Sequence, residues 1–516
     1  MRIRREADRK PRPIRRWGTP PRLACLWLLV LAGSAEAEPD TPLGQITPHL
    51  RLLGELRGRS ESYDFFKPTL NPGKGIVGDQ NAYTFGALRA RLGLLLTTSR
   101  VDGLVQAEYT GLYGLPAHAS GGIPVGPLGL GGVYYQDSGA SISPGDVHLK
   151  QAYLNFKLQP LLGLPNTYFK AGRFEILDGL EYRSGDTKFD GLKLARVSQR
   201  LVGPFDFTHA TRNFDGFQLS YDAPALNLTL AAAHPTQGGF NIHAQDEISH
   251  IGLAYGALTG KKGAFLPDTE GRLFYLYYTD DRGVQPVDNR PVALRPPLSR
   301  DPLALHTLGS HWLTVRKLGP GALDGLIWGA YQFGDWGNLR QHAWAATLEL
   351  GYQLPDTPLK PWLRAGYFRS SGDTDPGDRS HGTFFQVMPT ARLYAKFPFF
   401  NLMNLEDAFV QFSVTPTSAT NLGVEFHQLA LGNRHDLFYG GSGATSRTGS
   451  FGYYGRAGGG RGEIGQMLDV SFSQTLGKQF SWSFYYAHVF GGEVIRNVYP
   501  AKTTADYAFV EFIALF

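Results

Sequence analysis

Arg89 and Arg91 stand two residues apart, and Arg51, Glu55 and Arg57 form a second row at even spacing. In an extended chain, residues at i and i+2 share a face. Paired guanidinium groups on one face raise a positive potential that concentrates anions, and interleaved carboxylates keep any one position from trapping them. Glu55, Glu108 and Glu349 supply such carboxylates, and Arg364 adds a further cation. The same rows also serve as ion-pair ladders that brace or solvate a wall, so both readings stand. Tyr109, Tyr153, Tyr275, Tyr277, Tyr485 and Tyr486 offer sugar-stacking rings or, alternatively, an interfacial girdle. Asp373, Asp375 and Asp378 crowd three carboxylates into one turn, the oxygen chemistry that hard cations take. Their spacing is not that of an EF-hand, so they read first as a solvated loop and no metal site is assigned. His49, His148, His250, His311 and His488 are scattered outside any Gly-x-Ser-x-Gly or His-Glu-x-x-His pattern, which gives an enzyme little footing. Cys25 is the sole cysteine, which excludes a disulfide scaffold. No cofactor is implied.

The elements that would position these charges are strands. In residues 50–57, Leu50, Leu52, Gly54 and Leu56 alternate with Arg51, Leu53, Glu55 and Arg57. In residues 86–96, Gly86, Leu88, Ala90, Leu92, Leu94 and Leu96 alternate with a face carrying Arg89 and Arg91. Trp344, Ala346, Leu348, Leu350 and Tyr352 alternate with a face carrying Glu349. No apolar run after residue 37 reaches the length of a helical span, about 20 residues, whereas a barrel needs only alternate residues to be apolar. A basic side chain facing lipid at mid-bilayer costs about 2–4 kcal/mol, so the leucine faces point to lipid and the charged faces inward.

Connection lengths support this reading. Long ones fall near 60–81, 113–146, 175–204, 234–248, 280–305, 371–404 and 431–463. Short ones fall at 98–102, 159–166, 222–225, 316–322, 415–418 and 476–479. Short periplasmic turns against long external loops are the pattern of an outer-membrane barrel. The connection at 333–340 is shorter than its parity requires, and 259–269 is longer than a tight turn. About 18 strands result, both termini in the periplasm, with 196–222 reading as one bent strand or two. Trp344 and Tyr352 lie about 27 Å apart along one face at ~3.4 Å per residue. At a strand tilt of ~40° this matches an apolar band with aromatic girdles. The glycine-rich loops 114–145 and 440–462 read equally as an inward lid or as external loops.

The ends carry addresses. Residues 1–22 hold nine Lys/Arg, an apolar run follows from Leu23 to Ala32, and Ala35-Glu36-Ala37 closes it. This is the pattern of a secretory leader cleaved after Ala37, leaving 38–516 as a single barrel domain. Of 50 Lys/Arg and 45 Asp/Glu, nine and three lie in that leader. The remaining 41 and 42 nearly cancel, so the basic isoelectric point is no argument for nucleic-acid binding. The terminal strand, Ala505–Phe516, ends on an aromatic residue and resembles the signal read by the barrel assembly machinery.

Three stretches resemble the alginate-export family. They are Gly172-Arg173-Phe174-Glu175 with Gln199–Phe205 and Arg212-Asn213-Phe214-Asp215-Gly216; Ser370–Asp378 with Thr383-Phe384 and Pro389-Thr390; and Ile464-Gly465 through Asp469 with Ala487–Glu493. The resemblance implies an 18-stranded monomeric barrel, set in outer-membrane lipid and lipopolysaccharide, that exports an acidic polysaccharide through an arginine-lined constriction. It places Arg91 and Arg173 in matching strand contexts, Arg212 and Asp215 in the family's Arg-x-Phe-Asp-Gly stretch, and Arg364 ahead of the Ser-Gly-Asp loop. It also implies a separate periplasmic scaffold partner, since no helical-repeat segment accompanies the barrel. The expected substrate path is thus Arg51, Arg89, Arg91, Arg173, Arg212, Asp215, Glu349 and Arg364. The leading expectation is an outlet for an anionic exopolysaccharide, and the alternative a diffusion porin for small anionic or sugar solutes.

Overall fold

The computed structural model describes residues 44–70, 79–122, 125–389 and 393–516. The leader and its cleavage point lie outside the described residues. Eighteen long strands run antiparallel, each bonded to the next. They are β1 (Leu50–Asp64), β2 (Ala82–Thr97), β3 (Val101–Tyr113), β4 (Gly145–Lys157), β5 (Thr167–Phe174) and β6 (Phe214–Asp222). Then come β7 (Leu226–Pro235), β8 (Ile251–Gly260), β9 (Thr269–Asp280), β10 (Leu303–Leu318), β11 (Gly321–Trp336) and β12 (Leu339–Gln353). The last are β13 (Trp362–Ser370), β14 (Leu405–Thr417), β15 (Thr420–Leu431), β16 (Glu463–Leu476), β17 (Phe480–Gly491) and β18 (Thr504–Leu515). β18 pairs with β1, Glu55 opposite Leu515 and Asp64 opposite Asp506, which closes the barrel and leaves no sheet edge. Phe516 completes the seam: its carbonyl accepts from the Gly54 amide at 2.7 Å, and its amide donates to the Gly54 carbonyl at 3.0 Å. The Phe516 ring packs over Gly54, where a Cβ would force the ring to shift.

The alternation predicted from sequence holds. Leu92, Leu94, Leu348 and Leu350 face outward, and Leu350 is 55% exposed. A band of exposed leucines this regular is stable only against lipid. Arg57, Arg89, Arg91, Glu349 and Arg364 are buried on the opposite faces. Among the described residues no helix is long and apolar enough to cross a membrane.

Turns on one end are short, for example 98–100, 319–320 and 418–419, and loops on the other are long. The exception is 337–338, a tight hairpin on the long-loop side, as its spacing implied. Residues 196–213, expected to carry strand, do not. A helix at Thr187–Leu192 and a π-helical turn at Lys193–Val197 lead into an irregular segment, and only Phe214–Asp222 joins the sheet. The reason is burial on all sides: Arg200, Thr208, Ala210, Thr211, Arg212 and Asn213 are completely covered, which a half-lipid-facing strand never is.

Loop 175–213 descends into the barrel. Loop 371–404 follows it, the two meeting where the Gly203 amide donates to the Met388 carbonyl (3.0 Å) and the Met388 amide to the Leu201 carbonyl (2.8 Å). Loop 432–462, with its hairpin Leu437–Gly441 and Tyr453–Ala457, packs against both. The glycine-rich loops therefore fold inward. Tyr134 from 114–144 stacks near His209 with centroids 5.6 Å apart, and Phe451 and Tyr453 from 432–462 are buried.

Candidate functional site

The loop tip 204–211 rests on arginines of β1 and β2, in mid-strand. Successive even steps place Arg57, Arg59, Arg89 and Arg91 on the lumen face. Arg57 and Arg89 lie directly opposite each other, an arrangement of like charges that requires a counter-charge. Asp206, from the loop tip, supplies it. Its Oδ1 accepts from Arg89 Nη1 at 2.9 Å and from Arg91 Nη2 at 2.7 Å. Arg57 Nη1 donates to the Asp206 and Thr208 carbonyls (2.9 and 3.2 Å), and Arg59 Nη1 donates to the Phe207 carbonyl (2.8 Å). Glu55, Glu108 and Glu511 complete the cluster from the wall, at 2.6 Å from Arg89, 2.6 Å from Arg91 and 2.6 Å from Arg59. Burial disfavours the Asp206 carboxylate, but Arg89, Arg91 and Arg57 outweigh burial and hold it well below the usual carboxylate range. His209 Nε2 lies 2.7 Å from Glu61 Oε1. Burial pushes its imidazole down to about 4, against the pull of Glu61, so it is neutral at pH 7.

A second cluster grips the loop on another sector of the wall. Glu349 of β12 accepts from Arg364 of β13 at 3.0 and 2.8 Å, and from Arg200 of the loop at 3.3 Å. Arg364 also pairs with Asp324 of β11. Arg196 bonds the Gln411 side chain and the Leu393 carbonyl, each at 2.7 Å, tying the two in-folded loops to β14. The Trp328 and Tyr394 rings flank the Arg200 guanidinium at 5.1 and 5.2 Å, a cation–π contact.

Of the residues expected on the path, Arg89, Arg91, Glu349 and Arg364 point into the lumen in these clusters. Arg51 has the parity of Arg57 and lies beside the turn 98–100. Arg212 is buried in the in-folded loop, not on a strand. Arg173 and Asp215 are a correction. They share the face of Phe169 and Phe217, and Phe217 is 59% exposed, so this face is outward. They form a bidentate ion pair with each other at 2.7 and 2.7 Å. The pair lies at the long-loop end of the two strands.

The acidic turn spends its carboxylates on itself. Asp373 Oδ1, Asp375 Oδ1 and Asp378 Oδ1 accept from the amides of Asp375, Gly377 and Ser380. Among the described residues no group of three or more acidic, histidine or cysteine side chains is gathered to hold a metal. Tyr153 and Tyr485 face inward, while Tyr109, Tyr275, Tyr277 and Tyr486 face outward. Sequence reasoning missed Asp206, Arg196 and Arg200, whose positions depend on the loop's path. It also stopped short of Arg59 and Glu61, which the parity of Arg57 already pointed to.

A family model described as alginate export matches residues 145–511. No curated protein matches the sequence. Solved structures do match the fold. OccAB4 of Acinetobacter baumannii aligns at 11% identity and TM-score 0.55, over 91% of this chain and 99% of that one. Pseudomonas aeruginosa OccK9 aligns at 11% identity and TM-score 0.54, over 90% and 98%. P. aeruginosa OpdK, solved with vanillate, aligns at 11% identity and TM-score 0.53, over 90% and 98%. At such identities these neighbours establish the fold alone. Together with the match over most of its length, they place the chain, an outer-membrane β-barrel of channel architecture, in the alginate-export family.

Proposed function

We propose that the protein is a loop-gated outer-membrane channel that exports an anionic, alginate-like exopolysaccharide. The observation that carries this reading is the seat of Asp206. A carboxylate from an in-folded loop, not from the wall, lies within 3 Å of two buried guanidinium groups in mid-barrel. A uronate carboxylate is the same chemical group, so the site that holds Asp206 fits a polyuronate once the loop withdraws. In the closed arrangement the seam between loops 175–213 and 371–404 encloses about 20 Å³, lined by Phe205, Gln386, Tyr394, Asn401 and Ser442, room for about one water. In this reading the loops part to let the polymer pass. The channel is passive and monomeric in this reading. It is fed by a periplasmic scaffold partner and inserted by the barrel assembly machinery among lipid and lipopolysaccharide.

A second reading, a porin for small anionic or sugar solutes, is favoured by the narrowness of that seam. One fold neighbour was solved with vanillate, a small carboxylate. Single-channel recording separates the two. Current blocked by uronate oligomers and not by uronate monomers or neutral glucans supports the polymer conduit. Steady current with a monomer flux equal to that of chloride-sized anions refutes it and favours the porin.

A further inference from the structure

The connections at the short-turn, periplasmic end of the barrel are not alike. Those at 98–100 and 477–479 are short and polar, Thr-Ser-Arg and Gly-Lys-Gln. Those at 158–166, between β4 and β5, and at 261–268, between β8 and β9, are longer and hold apolar side chains in the open. Residues 159–166 read Gln-Pro-Leu-Leu-Gly-Leu-Pro-Asn, without one charge, and all of them are exposed. Leu162 is 69% exposed, with Leu161 and Leu164 exposed beside it. In the second turn Phe265 is 65% exposed and Leu266 is exposed with it. Apolar surface gathered this way marks a membrane or protein contact.

The leucines are held in place. One turn of helix over Leu158–Leu162 is closed by Gly163 at φ 71°, whose amide donates to the Gln159 carbonyl at 3.0 Å. The turns are also joined edge to edge. The Asp222 amide donates to the Asn166 carbonyl (2.8 Å) and the Lys261 amide to the Ala225 carbonyl (2.9 Å). The Ala-Pro-Ala turn at 223–225 thus links the two longer turns into one ledge beneath β4–β9.

Three observations decide what covers this ledge. It is continuous with the lipid-facing wall, since exposed Leu154, Leu219 and Leu258 stand above it on β4, β6 and β8. Its aromatic ring folds outward: a Cβ at Gly260 would lie 2.1 Å from the Phe265 ring, and Gly260 has the parity of Leu258. Its basic groups are already paired, Lys157 with Asp102 (2.8 Å), Lys261 with Asp222 (2.8 Å) and Lys262 with Asp186 (2.6 Å). The surface on offer is therefore apolar, with an aromatic residue at its edge, the composition that lies in a membrane interface.

We propose that the turns 158–166 and 261–268 form a membrane-inserted ledge whose occupant is the phospholipid of the inner leaflet. The lipid-facing surface then reaches lower on the β4–β9 sector than beside 98–100 or 477–479. The inference concerns how the barrel is seated in its membrane and stands apart from the channel reading.

The test uses the full barrel with Cys25→Ser, in phosphatidylcholine nanodiscs, spin-labelled at one introduced cysteine. Leu162→Cys and Phe265→Cys probe the ledge. Leu348→Cys on the leucine band and Lys478→Cys on a polar turn give the lipid and water references, and heat-modified gel mobility confirms that each variant is folded. Collision with oxygen reports lipid, and collision with a water-soluble nickel complex reports solvent. Labels at 162 and 265 are expected to lose nickel collisions to the level seen at 348, with oxygen favoured, while 478 shows the reverse. The same pattern is expected when phosphatidylglycerol is added, because the lysines beside the ledge are paired. A water-like label at either ledge position overturns the proposal and leaves the surface open for a periplasmic protein. Protection that appears only with phosphatidylglycerol overturns it as well, because the contact would then be electrostatic.

Discussion

Asp206→Asn tests whether the loop tip is a charge-held gate. The substitution keeps side-chain volume and the backbone carbonyl that Arg57 binds at 2.9 Å. It removes the negative charge that faces Arg89 Nη1 at 2.9 Å and Arg91 Nη2 at 2.7 Å. Breaking a buried pair from one side costs about 3–5 kcal/mol. The Asn amide oxygen still accepts one bond, worth about 1.5 kcal/mol from a charged donor. The net loss of anchoring is then roughly 2–4 kcal/mol, which moves a closed-to-open equilibrium about 30- to 1,000-fold. The arginines would keep the wall carboxylates Glu55, Glu61, Glu108 and Glu511 but lose the loop's charge, so the lumen gains positive potential. The assay is single-channel current in a planar bilayer, with the folded state checked by heat-modified gel mobility. A rise in open probability with stronger anion selectivity is expected. A folded D206N barrel with the open probability and selectivity of wild type would refute the gate.

Other perturbations follow from the same geometry. Acidification should loosen the loop tip through His209. Its imidazole falls from an ordinary 6.5 to about 4 on burial, so the stability it contributes is present above 6.5 and lost as pH falls toward 4. At about 1.36 kcal/mol per unit this reaches about 3 kcal/mol, read as lower amide protection factors in 204–211 at pH 4.5 than at pH 7, and abolished in His209→Gln. Asp436 in loop 432–462 carries the opposite sign. Burial raises its carboxyl to about 6, against the hydrogen bonds from Thr383, Tyr439 and the Asp373 amide. Its contribution is full below about 4 and lost as pH rises through 6, so the hairpin at 437–457 should show lower amide protection factors at pH 7 than at pH 5, a difference erased in Asp436→Asn. Glu349→Gln leaves Arg200 and Arg364 short of a shared carboxylate and should destabilise the barrel by about 3–5 kcal/mol, seen as a lower unfolding temperature. Arg173→Ala should leave ion selectivity unchanged, because its charge is outward and already neutralised by Asp215. An altered reversal potential in that variant would return Arg173 to the lumen.

The wall was legible because its physics is local. A strand with lipid on one side and lumen on the other must alternate, so Leu92 against Arg91 or Leu350 against Glu349 declares the orientation of every neighbour. Connection lengths added the sidedness. The in-folded loop was not legible, because no local period governs a segment buried on all sides. Residues 196–213 carry enough apolar and β-branched side chains to look like strand, but their backbone bonds go to another loop and to wall arginines far away in sequence. Arg173 came to the path only through the resemblance, and its regular parity with Phe169 and its cross-strand partner Asp215 put it on the outward face.

That difference bears on how lumenal charge is to be read at all. Parity tells where Arg89 and Arg91 point, but not what potential they present, since the potential depends on which carboxylate stands opposite. With Asp206 seated, the cluster of β1 and β2 is nearly self-compensated and offers little to an anion. With the loop withdrawn, three guanidinium groups that the fold has already desolvated face the lumen with fewer counter-charges than they were built around. Selectivity is then a property of the open state, created by the movement that opens it. On the proposed function, a carboxylated substrate would bind the open state better than the closed one, which is the differential affinity a ligand needs to shift a gate. If the proposed gate holds, the wall arginines and the loop carboxylate work as one device, and substituting either half should change both the selectivity and the gating.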